Sequence, residues 1–162
     1  MKTTVPRTGT RRRQRGIATL EFALMLLFGL LPLLLVMYSG VMIMAVQQTL
    51  SAASAEGARA AFRHATPTER RTAACLAARR SMQWLLTYAK QTPSCTTPGA
   101  APINVSAPAP CADLPSAQCI SVQVSYDYRT HPFLPGTGRV YGWVMRTPLR
   151  STAVSQLDLG GN

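Results

Sequence analysis

The sequence predicts an α+β chain: a long N-terminal helix, a second helix and a small antiparallel sheet of about three strands. Three observations carry this expectation. Phe22 to Val46 is a 25-residue run, apolar apart from Tyr38, Ser39 and two glycines. Thr66-Pro67-Thr68-Glu69 sets an N-cap, a proline at the first helical position and a glutamate at the third ahead of a helical apolar stripe. Ile120, Val122, Val124, Tyr126 and Tyr128 alternate with Ser121, Gln123, Ser125 and Asp127, the period of a half-buried strand.

The first element begins behind a basic leader, residues 1–16. The chain has 17 Lys and Arg against 6 Asp and Glu, a net +11, and Lys2, Arg7, Arg11, Arg12, Arg13 and Arg15 all precede Gly16. Without the leader the charge falls to +5, so the basicity belongs to the leader and is a poor argument for nucleic-acid binding by the rest. No charged residue occurs from Phe22 to Ala55. As a helix, residues 22–46 reach roughly 37 Å, more than the ~30 Å hydrocarbon core, so one transmembrane span is expected. Arginines on the N-terminal flank only place the N-terminus in the cytoplasm and the rest outside.

Helix is expected from Ile17 to His64, residues 17–64, with Pro32 removing one backbone hydrogen bond and bending it. Ala53, Gly57 and Ala61 recur every four residues, a flat face for either the chain's own domain or a neighbouring subunit. Two leader types compete with a plain uncleaved anchor. Ala53-Ser54-Ala55 has the small-x-small form of a signal-peptidase site, but the apolar run is longer than the ~7–15 residues of a secretory signal. Glu21 at the edge of the span costs a few kcal/mol unless it meets a cation or lies at the interface. A cut after Gly16 would supply a cation, the new α-amino group of Ile17.

Residues 65–162 form the expected extracytoplasmic domain. The second helix carries Cys75, Ala78, Met82, Leu85, Leu86 and Ala89 as a core-facing stripe as far as Lys90. Residues 91–118 hold six of the 12 prolines and read as a loop without a regular element. The strand at Ile120 follows. A turn from His131 to Gly138 leads to a second expected strand, Arg139 to Met145, where Tyr141, Trp143 and Met145 alternate. Arg150 to Leu157 supplies a third, and Gly160-Gly161-Asn162 a loose tail.

Cys75, Cys95, Cys111 and Cys119 all follow the span, and an even count in an exported domain argues for two disulfides. Three pairings are open. The preferred one joins Cys75 to Cys119 and Cys95 to Cys111. Zinc is disfavoured, since no Cys-x-x-Cys knuckle occurs and His64 and His131 stand alone. No nucleophile–base pair or phosphate-binding glycine loop appears, so a non-enzyme without cofactor or metal is expected.

Arg15-Gly16-Ile17-Ala18-Thr19-Leu20-Glu21-Phe22 resembles a class III, type IV-like prepilin leader. The resemblance implies that a prepilin peptidase cuts between Gly16 and Ile17 and that Glu21 meets a neighbour's N-terminal amine during filament assembly. Gln47 to Arg63, QQTLSAASAEGARAAFR, is similar to the alanine-rich segment of TadE-like minor pseudopilins of tight-adherence (Tad/Flp) pilus systems. It implies a chain held in a bacterial inner membrane with its C-terminal domain in the periplasm, later taken into a pilus for adhesion. The implied partners are the membrane, the prepilin peptidase, other minor pseudopilins, the major Flp-type pilin and the inner-membrane assembly platform, with no nucleic acid. Ile17 stands where type IVa pilins commonly have phenylalanine or methionine, and Phe22 where many Tad pilins have tyrosine. Plainer readings stay open: Gly16 as a joint, Glu21 stabilised by the helix dipole at the membrane surface, Glu56 and Arg59 as a solvated intrahelical pair, and the whole chain as an uncleaved envelope scaffold.

Overall fold

A computed structural model describes residues 14–63, 66–96, 101–112 and 114–157. The leader before Gln14, His64, Pro98 and the Gly160–Asn162 tail lie outside these residues. The architecture is α+β, with four strands in one antiparallel sheet. The chain divides into two compact units, residues 1–40 and 41–162.

The described part of the first unit is helical: α1 (Gln14–Met25), a π-helical turn (Leu26–Leu30) and the start of α2 (Leu31–Ala61). The π turn adjoins Pro32. There the Leu31 N–H donates to the Leu26 carbonyl, one residue further back than in an α-helix. Proline has no N–H, and its ring displaces the carbonyl four residues earlier, that of Phe28. A widened turn gives that carbonyl room.

The second unit begins on α2, where burial starts abruptly. Val46, Leu50, Ala53, Ser54, Gly57, Ala58 and Ala61 are buried at helical spacing. α3 (Pro67–Ser81) opens with the expected capping box: the Glu69 N–H donates to Thr66 Oγ1, and the Thr66 N–H donates back to Glu69. The single helix expected to Lys90 breaks at Met82 and resumes as α4 (Gln83–Tyr88), yet the whole predicted stripe from Cys75 to Ala89 is buried. α4 ends with Lys90 at φ 53°, its N–H bonding to Thr87 and that of Gln91 to Leu86, a Schellman closure.

The sheet corrects two expectations. Within residues 91–118 lie β1 (Ile103–Val105) and β2 (Ala109–Pro110), both antiparallel to β3 (Gln118–Tyr126). The register slips by one residue between Val105↔Val122 and Ala109↔Cys119, so the two are halves of one interrupted edge strand. Proline donates no ladder bond, and its place on an edge is the tolerated one. β4 (Leu149–Leu157) pairs with the other side of β3 along its full length. Arg139 to Met145, expected as a strand, is instead α5 (Thr137–Val144). Gly138 and Gly142, four apart, explain the helix: a Cβ on Gly138 would stand 2.6 Å from the Arg129 carbonyl, and one on Gly142 would stand 2.7 Å from the Arg129 side chain. Bare backbone on this face lets α5 lie against the turn that follows β3. Phe133 anchors the same turn, its ring 4.6 Å from Tyr88, 6.0 Å from Trp84 and Tyr126, and 5.8 Å from Tyr128.

All four cysteines are paired, but as Cys75–Cys95 and Cys111–Cys119, not as preferred from the sequence. The Schellman turn sends residues 91–95 back along α3, which brings Cys95 to Cys75. The β2–β3 pairing sets Cys111 beside Cys119, and the Cys111 N–H donates to the Ala117 carbonyl.

Candidate functional site

Gly16 and Ile17 lie in α1, and every residue from Gly16 to Tyr38 is exposed. Gly16 is part of the continuous helix, not a break before it. A Cβ placed on it would meet nothing within 4 Å. Packing among the described residues therefore gives no reason for a glycine in this turn of the helix. Gly29 and Gly40 are equally open.

Glu21 sits four residues after Ile17, on the same face and about 6 Å along the axis. It is exposed, and its side chain makes no hydrogen bond or ion pair with another described residue. It is followed by a helical stretch with no charge until Glu56. The helix Gly16–Ala61 is long and apolar enough to cross a membrane, and none of its most apolar stretch is buried. Exposed Phe22, Met25, Phe28, Leu33 and Val36 are therefore placed where lipid or another helix would cover them.

The small-residue face of α2 is already occupied within the second unit. A Cβ on Gly57 would come 2.9 Å from Val122 Cγ1, 3.0 Å from the Ala74 carbonyl and 3.3 Å from Ala78 Cβ. Of Glu56-Gly57-Ala58-Arg59, the middle two residues serve this packing, while Glu56 and Arg59 form a 2.8 Å ion pair with both side chains more than half exposed. The pair borders a groove of about 460 Å³ between α2 and α3, floored by Ala60, Ala73 and Ala77 and rimmed by Arg63 and Arg80. Sequence reasoning missed this groove, whose signal is arginine recurring at the edges of two alanine-rich helices.

In the domain, polar groups mostly fasten elements together. Arg71 donates to the Val105 carbonyl, tying α3 to β1, and Ser54 hydrogen-bonds Ser151 across α2 and β4. The Tyr126 hydroxyl donates to the His131 carbonyl, and burial, helped by neighbouring Tyr88, Tyr128 and Asp127, pushes its pKa well above the ordinary tyrosine value. His131 thus lends its backbone to the fold. Among the described residues no three of His, Cys, Asp and Glu converge as metal ligands.

Comparison with protein-family models, with curated proteins and with solved structures finds no match.

Proposed function

We propose that the chain is a minor pseudopilin of the TadE-like kind, inserted in a bacterial inner membrane, cut after Gly16 by a prepilin peptidase and taken up in the assembly of a Tad/Flp pilus. One observation carries the reading: a carboxylate, Glu21, stands without a side-chain partner among the described residues at the head of an exposed apolar stretch, five residues after a glycine that packing among those residues does not require. A carboxylate drawn into lipid costs a few kcal/mol unless a cation meets it. The Ile17 amine of a neighbouring copy would be such a cation. Gly16 and Ile17 then serve recognition and cleavage, Glu21 serves assembly, and Pro32 with its π turn shapes the helix. The domain, stapled by two disulfides, presents a fixed surface to the other minor pseudopilins, the major pilin and the assembly platform.

The rival is an uncleaved single-pass scaffold of the cell envelope. In its favour, the Ala53–Gly57–Ala61 face is filled by the chain's own α3 and β3 and offers no seam to a neighbour. Glu21→Gln separates the two. As a pseudopilin the variant inserts normally but lowers pilus yield at least tenfold. Unchanged piliation would count decisively for the scaffold.

A further inference from the structure

α5 turns its apolar residues outward. Val140, Trp143 and Val144 share one stripe of the helix at i, i+3 and i+4, and they are 63%, 80% and 62% exposed. Met145, just past its end, is also more than half exposed. The opposite face is fixed, because Gly138 and Tyr141 are buried and the Tyr141 hydroxyl donates to the Thr147 carbonyl. Arg139, next to Val140, is exposed, and so is Arg146, which follows the helix and borders a small pocket with Asp127 and Arg129. From residue 127 to residue 157 the chain carries Arg129, Arg139, Arg146 and Arg150 against one carboxylate, Asp127, which lies by Arg129 and Arg146, so the region is net basic. A held helix with an indole and aliphatic groups on one stripe, and exposed guanidinium groups on it and just past its end, has the composition of an interfacial helix. Indole favours the headgroup level, and arginine stems lie along apolar surface while their charges reach phosphate.

We propose that α5 docks the domain on an anionic phospholipid surface, with Trp143, Val140 and Val144 entering the headgroup–acyl boundary and Arg139 and Arg146 meeting lipid phosphates. The charge of this region complements such a surface, and a chain whose helix Gly16–Ala61 can cross a membrane brings the lipid with it. The inference rests on that membrane reading.

The test uses the full chain with Trp84→Phe, which leaves Trp143 as the single indole. It is reconstituted into vesicles of phosphatidylcholine and phosphatidylglycerol whose acyl chains are brominated near the carbonyl end, and flotation is scored on the same sample. Trp143 emission should be quenched by the bromines and shielded from aqueous iodide. Arg139→Gln with Arg146→Gln, or vesicles without phosphatidylglycerol, should lower the docked-to-free ratio roughly tenfold or more. The complementary Trp143→Phe chain, which keeps Trp84, should lose the bromine quenching. If the chain floats but Trp143 is open to iodide and untouched by bromine, docking is overturned while the membrane reading stands. Shielding from both quenchers overturns it in favour of a protein cover, and a chain that does not float overturns both readings.

Discussion

Residues 16–40 and residues 41–157 use the same kinds of side chain to opposite ends. In the first stretch leucine, phenylalanine and methionine all face outward, and its glycines have empty space around them. In the second most apolar side chains close on one another in a core from Val46 to Leu157, the stripe of α5 apart, and Gly57 is wedged between α3 and β3. The domain thus holds its core together with its own disulfides, caps and strand ladder. The N-terminal helix satisfies its backbone and leaves its large apolar side chains for something outside the chain. Backbone satisfied within the segment and apolar side chains turned outward are what a bilayer demands of a helix.

The largest effects should fall on the self-contained region. Removing Cys75–Cys95 by double alanine replacement should cost about 3 kcal/mol, and removing Cys111–Cys119, which closes a shorter loop, about 2.5 kcal/mol, by the loop-entropy relation. Denaturant unfolding of the detergent-solubilised chain measures both, and a reversed order would mean that the Cys111–Cys119 bridge, not the helix-to-loop bridge, restrains the unfolded chain more. Next comes glycine. Gly57→Ala should destabilise the domain by about 1–2 kcal/mol, because a buried Val122 and the Ala74 backbone leave no room for a methyl group. Gly40→Ala should leave domain unfolding unchanged, since nothing stands near its Cβ. Equal effects at the two positions would erase the contrast.

The smallest effect appears only in alkali. Tyr126 has a pKa raised by burial, so its neutral form is favoured in the folded state. Its contribution is complete below the unfolded value of about 10 and is lost as pH rises beyond it. A melting series across roughly pH 9 to 11 should show stability falling, and Tyr126→Phe should flatten that fall while costing about 1 kcal/mol at neutral pH through the lost bond to His131. A slope unchanged by the substitution would assign the alkaline sensitivity to another group.

Much of this division is legible in the residues. The uncharged run announces the exposed helix, Thr66 and Glu69 announce α3, and the alternation from Ile120 announces β3, because each is a local pattern with one dominant period. α5 is not legible in this way. Arg139 to Met145 is too short to separate a period of two from 3.6, and only the Arg129 turn, brought against Gly138 and Gly142 by the fold, decides for helix. The disulfides fail for a related reason. Their pairing follows from the Schellman turn and the β2–β3 ladder, and Pro108 and Pro110 disguise the latter as loop. Of the candidate site, Gly16, Ile17 and Glu21 are visible as a motif, whereas the arginine-rimmed groove and the outward stripe of α5 depend on contacts between distant segments.

The claim that the N-terminal helix is made for partners outside the chain is tested most directly by the N-terminal residue and intact mass of the membrane-extracted protein, produced with and without a prepilin peptidase. A pseudopilin begins at Ile17 only when the peptidase is present. A Met1 start under both conditions, or a start at Glu56 after signal-peptidase cleavage, would contradict it.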